Sequence, residues 1–235
     1  MRILFIRHAQ STNNLLWDQT GSSDGRSSDP TLTELGIKQS LALCDYFGRY
    51  LALNSRGSFP DTKNIYLYSS LMWRSLQTAQ PIADEYSLPI LGLRDLHEVG
   101  GVYLKDPETE LNVGLPGKKP SDLQRAFPRL QFVQEPDEQG WYNAAYESDD
   151  QAHARAKRLM DWLINRHRNS PHVVVLVSHG AFFNYFMNEL LGINPPYRGW
   201  FVMNNTGVTQ IEVEEEEIYV LFVNRVDHLP ADWIS

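Results

Sequence analysis

Two apolar runs in this chain stop abruptly at a histidine. Arg2 to Arg7, RILFIR, reads as a buried strand, and His8 follows directly. Val173 to Val177 is the clearest strand of all, and Ser178, His179 and Gly180 follow it. From about Gln10 to Pro30 the residues are mostly Ser, Asp, Asn and Gly, which predicts a hydrophilic loop. Thr33 is cap-like. Beyond it the helical spacing places Leu35, Leu41, Cys44 and Phe47 on roughly one face. Ile65 to Tyr68 predicts a second strand. SLMWRSLQTAQPIADEY predicts a helix with a break or a new start at Pro81, and LPILGLRDL a short third strand.

From Gly100 to about Asp149 the periodicity fades, and PSDLQRAFPRL holds the one short helix there. This predicts an inserted helix/loop lid region at about 100–149. A long helix follows from near Asp150 to His167. AFFNYFMNELLG is a helix closed by Gly192, and the last stretch reads as strand, acidic turn, strand. Strands alternate with helices, and the two apolar strands call for cover on both faces. The expected fold is α/β: a three-layer α/β/α sandwich around a mostly parallel central sheet, with an antiparallel final hairpin. No Pro/Gly/Ser-rich linker divides the chain, so residues 1–235 are read as one domain.

Charge narrows the partners. A formal net charge of -8 argues against a nucleic-acid or anionic-membrane surface. It leaves room for an anionic small substrate, because a few arginines can reverse the potential inside a cleft. The single cysteine, Cys44, cannot form an intramolecular disulfide, which fits a reducing compartment. No apolar run is long enough for a signal sequence or a membrane span, so a soluble, cytoplasmic protein is expected. The oligomeric state is left open.

Ligands of open α/β sheets bind beyond the carboxyl ends of strands. If the two apolar strands are parallel neighbours, His8 and His179 face one crevice. A neutral imidazole can accept a phosphoryl group and later release it, and fixed cations must then balance the phosphoryl oxygens. Arg7 adjoins His8, and Arg74 opens the helix after another strand. Helix N-termini at Gly180 and near Leu71 offer backbone donors. Each residue alone also has an ordinary reading, as a hydrogen-bonded strand-end histidine or a solvated helix arginine. Glu98 in RDLHEVGG reads by itself as a solvated loop carboxylate, with Asp95 and His97 as local competitors. His153, His167 and His172 lack ligand spacing, so no metal site is read. His228 reads as a surface or strand-capping histidine. Tyr103, Trp141 and Tyr142 pack the lid region or line a pocket. Lys118, Lys119, Arg125 and Arg129 solvate a short helix or offer a second anion contact. Glu214 to Glu217 reads as a solvated turn.

Five blocks in order resemble the histidine phosphatase superfamily, also called the phosphoglycerate mutase-like family. LFIRHAQSTNN resembles its Arg-His-Gly signature through Arg7, His8, Gln10, Ser11 and Asn14, with Ala9 where glycine is usual. PTLTELGIKQS is similar to its Leu-Thr-x-x-Gly-x-x-Gln helix start. YSSLMWRSLQTA is similar to its arginine block, led by Ser69 or Ser70 and carrying Arg74. DLHEVGG resembles the acidic block, and VVVLVSHGAF the second-histidine block. The resemblance runs from residue 2 to about residue 224.

It implies an α/β/α sandwich and a phosphatase that hydrolyses a phosphomonoester through a phosphohistidine on His8. Arg7, Arg74 and His179 are then expected to hold the phosphoryl group with Asn14, and Glu98 to act as general acid and base. No metal or organic cofactor is implied. The substrate is expected to be a phosphorylated small molecule, with a phosphoprotein as the alternative. A mutase-type phosphoryl-transfer isomerase is the second reading; it requires extra cations after the acidic block. There Lys105 and the two lysines Lys118 and Lys119 are set against Asp106, Glu108 and Glu110. An inactive phosphate-binding regulatory domain is the third.

Overall fold

The computed structural model describes residues 1–54, 62–193, 199–215 and 217–235. In chain order the elements are β1 (Arg2–Arg7), α1 (Thr12–Thr20), α2 (Glu34–Asn54), β2 (Ile65–Ser69), α3 (Trp73–Glu85) and β3 (Ile90–Gly92). Then come β4 (Tyr103–Lys105), β5 (Asn112–Gly114), α4 (Pro120–Ala126), β6 (Leu130–Phe132) and α5 (Asp149–His167). The chain finishes with β7 (Val173–Ser178), α6 (Gly180–Leu191), β8 (Val208–Glu214) and β9 (Glu217–Arg225).

Seven strands form one sheet in the order β6-β3-β2-β7-β1-β8-β9. The first five are parallel, and β8 and β9 add antiparallel pairs. Alternate residues of each central strand feed two cores, as the pleat requires. Leu4, Ile6, Leu67, Val175 and Val177 meet Leu43, Phe47, Leu76 and Ile82 of α2 and α3. Ile3, Phe5, Tyr68, Val174 and Leu176 meet Leu159, Leu163, Phe183 and Phe186 of α5 and α6. This is the three-layer α/β/α sandwich expected. Among the described residues no helix is long and apolar enough to cross a membrane.

Four local readings change. The expected loop from Gln10 to Pro30 contains α1, started by a capping box in which Ser11 and Asn14 satisfy each other's backbone N–H groups. None of its residues is buried, so no apolar stripe announces it. On α2 the buried face runs through Leu43, Cys44, Phe47 and Leu51, while Leu41 points to solvent. Pro81 does not break α3: the helix runs through it, because Leu76, Ala79, Ile82 and Ala83 on either side stay packed in the core. Between residues 100 and 149 lie two strands of a small hairpin and a third, β6, that extends the main sheet. Leu123, Phe127, Trp141 and Tyr142 from this stretch join the same core as α2 and α3. In the acidic turn, residue 216 lies outside the described residues.

The first turn of α2 is docked on the loop after β1. Thr33 N–H donates to the Gln10 carbonyl at 3.0 Å, and Gln39 Oε1 accepts from Gln10 N–H at 2.8 Å. Gly36 lies between them, and a Cβ there would strike the Gln10 carbonyl. Gly36→Ala is therefore expected to lower the unfolding free energy in urea by about 1–3 kcal/mol. It should also lower phosphomonoester turnover if the resemblance assigns His8 correctly, since the displaced backbone carries His8. An unchanged urea midpoint with unchanged activity would contradict this docking.

Candidate active site

β1 and β7 pair in parallel, with Arg7 opposite Ser178, so the residues that follow each strand emerge side by side. The rings of His8 and His179 lie 5.1 Å apart, centroid to centroid. β2 flanks β7 on its other side, and the turn after it starts α3 with Arg74 in the first helical turn. Arg74 reaches between the two rings. Its Nε–H donates to His8 Nε2 at 3.0 Å, and its Nη2 lies 3.1 Å from His179 Nδ1.

These contacts fix both tautomers. His8 Nδ1–H donates to the Ala9 carbonyl at 2.7 Å, which leaves the lone pair on Nε2. His179 Nδ1 accepts from Arg74, so Nε2–H donates to Ser70 Oγ at 2.9 Å. Of the two serines that could lead this block, Ser70 touches the histidine, while Ser69 Oγ turns to the Ser70 carbonyl. Burial, then the cations Arg74 and Arg7, hold the His8 pKa well below its ordinary value. Burial, then Arg74 and His8, do the same for His179. Burial lowers Arg74 to about 10, which leaves it cationic at neutral pH.

Arg7 lies against Gly180, and its Nη1–H donates to the Met203 carbonyl at 2.5 Å. Its Nε is buried without a hydrogen-bond partner. Asn14 gives its Oδ1 to Ser11 N–H at 3.0 Å and Oγ–H at 2.8 Å, which leaves its amide N–H groups toward the cleft. Glu98 closes the far side. Its Oε1 accepts from Val99 and Phe182 N–H, both at 2.9 Å, and its Oε2 from Ala181 N–H at 3.3 Å. The α6 N-terminus expected to bind anion thus holds a carboxylate in this state. The other helix start, at α3, is capped by Asp29, which accepts from Trp73 N–H at 2.9 Å.

Arg7, His8, Asn14, Arg74 and Glu98 line one cleft of about 480 Å³, with His179 beneath it. The competitors of Glu98 lie elsewhere: neither Asp95 nor His97 lines this cleft among the described residues. Ala9 is fully buried, donates its N–H to Thr78 Oγ1 at 3.0 Å, and is not among the residues with left-handed backbone. The methyl group at the usual glycine position therefore carries no backbone strain. Sequence reading missed Asn205, whose amide donates to the His8 carbonyl at 2.9 Å, and Arg26, which lines the cleft with its guanidinium 4.3 Å over the Tyr103 ring.

The remaining candidates sort out by contact. His228 is buried and meets Thr206 Oγ1 at 3.1 Å, so it is not a surface residue. His167 joins Tyr68 and His172 in a separate hydrogen-bonded cluster. Arg125 pairs with Asp122, Arg129 with Asp84, and Lys118 covers Trp73. Among the described residues no group of three metal-ligating side chains gathers.

An open α/β sheet with two buried neutral histidines and two arginines at neighbouring strand ends forms a cationic pocket of the kind that suits a phosphoryl group. The sequence profile of the histidine phosphatase superfamily (branch 1) matches residues 3–226, and the chain belongs to that family. That family places the chain among enzymes that act on phosphomonoesters. Solved structures share the fold. A phosphoserine phosphatase of Entamoeba histolytica, bound to phosphoserine, is 19% identical with a TM-score of 0.61 over 97% of this chain and 99% of that one. A mycobacterial glucosyl-3-phosphoglycerate phosphatase bound to VO3 is 19% identical, TM-score 0.58, over 96% and 99%. The ecdysone phosphate phosphatase of Bombix mori, with tungstate, is 17% identical, TM-score 0.63, over 93% and 91%. No curated protein sequence matches the chain significantly.

Burial of neutral histidines links stability to pH. His8, His97 and His179 all have folded pKa values well below 6.5. Between that value and their folded pKa values the unfolded chain binds protons that the folded chain refuses. Stability is then fully present above pH 6.5 and falls as pH drops below it. Each histidine contributes up to about 1.4 kcal/mol per pH unit. Asp29, raised by burial, opposes this with one proton. Urea unfolding from pH 7.5 to 5 should show the decline starting near pH 6.5, and a flat profile would contradict neutral burial.

Proposed function

We propose that the protein hydrolyses small phosphorylated metabolites through a covalent phosphohistidine on His8 Nε2. The observation that carries this reading is the Arg74 guanidinium, which touches His8 Nε2 and His179 Nδ1 at once. A guanidinium there is within reach of the oxygens of a phosphoryl group that approaches the His8 lone pair. A phosphate dianion offers Arg74 better acceptors than an imidazole, so substrate frees Nε2 as it binds. In the first step the Nε2–P bond forms and the P–O bond to the leaving group breaks. Glu98 gives its proton to the departing oxygen. In the second step water adds to phosphorus, the N–P bond breaks, and the water's proton returns to Glu98. Arg7 and Arg74 balance the equatorial charge throughout. The dianion also reverses the local field at His179, which favours a proton on Nδ1 and turns that atom into a donor.

The cleft supports a small substrate and hydrolysis over isomerisation. Trp17, Tyr103 and Trp200 line it with Arg26, enough to hold a leaving group of metabolite size. The cations a mutase would need after the acidic block are not there: Lys105, Lys118 and Lys119 do not line the cleft among the described residues. Lys105 instead faces Glu110 at 3.7 Å. The solved relatives that act on phosphoserine and on glucosyl-3-phosphoglycerate are small-molecule phosphatases by name, which agrees with this scale.

Quenched reactions with labelled phosphomonoesters should leave acid-labile, base-stable label on His8, together with released phosphate. His8→Ala should abolish both, and Arg74→Ala should lower kcat/KM by about 10²–10³-fold. Label that moves to an acceptor alcohol without phosphate release would favour the isomerase. Turnover that survives His8→Ala would sink the phosphohistidine route.

A further inference from the structure

The acidic residue of the cleft is held from behind by a buried ion pair outside the five sequence blocks. Arg155, on α5, is 2% exposed. Its Nε and Nη2 form a two-pronged contact with Glu147 at 2.7 and 2.6 Å. Its Nη1 donates to two carbonyls of the acid-bearing loop, Asp95 at 2.7 Å and His97 at 2.9 Å. The same guanidinium stacks 4.0 Å over the ring of Phe182, whose N–H grips Glu98 Oε1. Arg155 therefore bears on Glu98 from both sides: through the backbone just before it, and through the residue that holds its carboxylate.

Neighbouring contacts complete the clamp. His97 Nδ1–H donates to the Glu98 carbonyl at 2.8 Å, and Ser178 Oγ–H to the Leu96 carbonyl at 2.7 Å. His97 is kept neutral by burial and by Arg155, so the partner of Glu147 is the arginine and not the ring 4.0 Å away. Glu147 N–H in turn donates to the Gly100 carbonyl at 3.3 Å, two residues past Glu98. A guanidinium with a planar fork and a spare N–H arm can make all these contacts at once; an ammonium cannot.

We propose that Arg155, locked by Glu147, is the positioning residue that sets Glu98 for proton transfer to the leaving group. Arg155 does not line the catalytic cleft and has no contact with the phosphoryl site. This inference rests on the reading of Glu98 as the proton donor, and the test separates the two. An alkyl phosphomonoester such as glycerol 2-phosphate needs a proton on its departing alkoxide, whereas p-nitrophenyl phosphate releases a stable anion and needs little help. Glu98→Gln should lower kcat/KM for the alkyl ester by about 10²–10⁴-fold and for the nitrophenyl ester far less. Arg155→Met should repeat that selectivity at smaller scale, with kcat/KM, which reports the leaving-group step, down by more than 10-fold for the alkyl ester and within about 3-fold for the nitrophenyl ester. Arg155→Lys should recover only part of the loss. Arg155→Met leaves a buried carboxylate unpaired, so Arg155→Met/Glu147→Leu, which removes both charges, is the second variant if the first does not fold.

Equal slowing of both esters in a folded variant assigns Arg155 a purely structural role and overturns the proposal. So does no slowing of either. Should Glu98→Gln itself show no selectivity, the acid role falls and the positioning role with it. Selectivity in Glu98→Gln that is absent from both Arg155 variants refutes the positioning role alone.

Discussion

The site depends on one pairing. β1 and β7 run parallel and in register from Arg2 opposite Val173 to Arg7 opposite Ser178. A slip of one residue would turn every side chain of the strand to the opposite face. Ile3 and Phe5 would leave one core, Leu4 and Ile6 the other, and His8 would turn away from His179. The hydrophobic alternation that secures the core is thus also what aims His8 at His179. Both strands are buried on both faces, which makes that register hard to relax.

What the pairing brings together is electrostatically costly. Arg74 is 6% exposed, His8 4% and His179 fully buried, and among the described residues no carboxylate forms a salt bridge with the Arg74 guanidinium. The surroundings answer this cost by keeping both imidazoles neutral and turning their lone pairs toward the cation. Asp29 and Glu98 supply negative charge at longer range, Asp29 the larger share. A doubly charged phosphate supplies the missing counter-charge directly. Cations held in a dry pocket are worth more to a transferring phosphoryl group than the same cations in water. On the proposed reading, the electrostatic cost of the resting state is the source of the site's affinity for that group.

Much of this was legible in the chain, for physical reasons that differ by residue. His8 and His179 stand out because a polar residue ends an apolar run, and a strand end is where an α/β sheet presents ligands. The helix-start block became meaningful through Thr33, Gly36 and Gln39: their spacing puts a hydroxyl, a bare backbone and an amide on one surface, and that surface seats Gln10. Helix α1 was hidden because it buries nothing and its capping box sits inside a run of polar residues. β6 was hidden because three residues carry no period. Asn205 left no signal because it serves the His8 carbonyl, and a carbonyl exists at every position; Arg155 left none because Glu147 and the carbonyls of Asp95 and His97 meet it only in the folded chain.

Glu98 shows how far local reading goes. Its neighbours in sequence describe a loop, and nothing in RDLHEVGG distinguishes it from Asp95. The distinction arises from three elements that meet only in space. The start of α6 offers it Ala181 and Phe182 N–H, β7 anchors the loop through Ser178, and α5 contributes Arg155. Asp95 is turned the other way and faces Arg158 on the surface. The hydrogen bonds to the Glu98 carboxylate come from the backbone N–H groups of Val99, Ala181 and Phe182, which fix its position beside the cleft. The ion pair of this region belongs to Arg155 and Glu147, behind the loop. The charge that stabilises the loop and the charge that serves the cleft are thereby kept on separate residues.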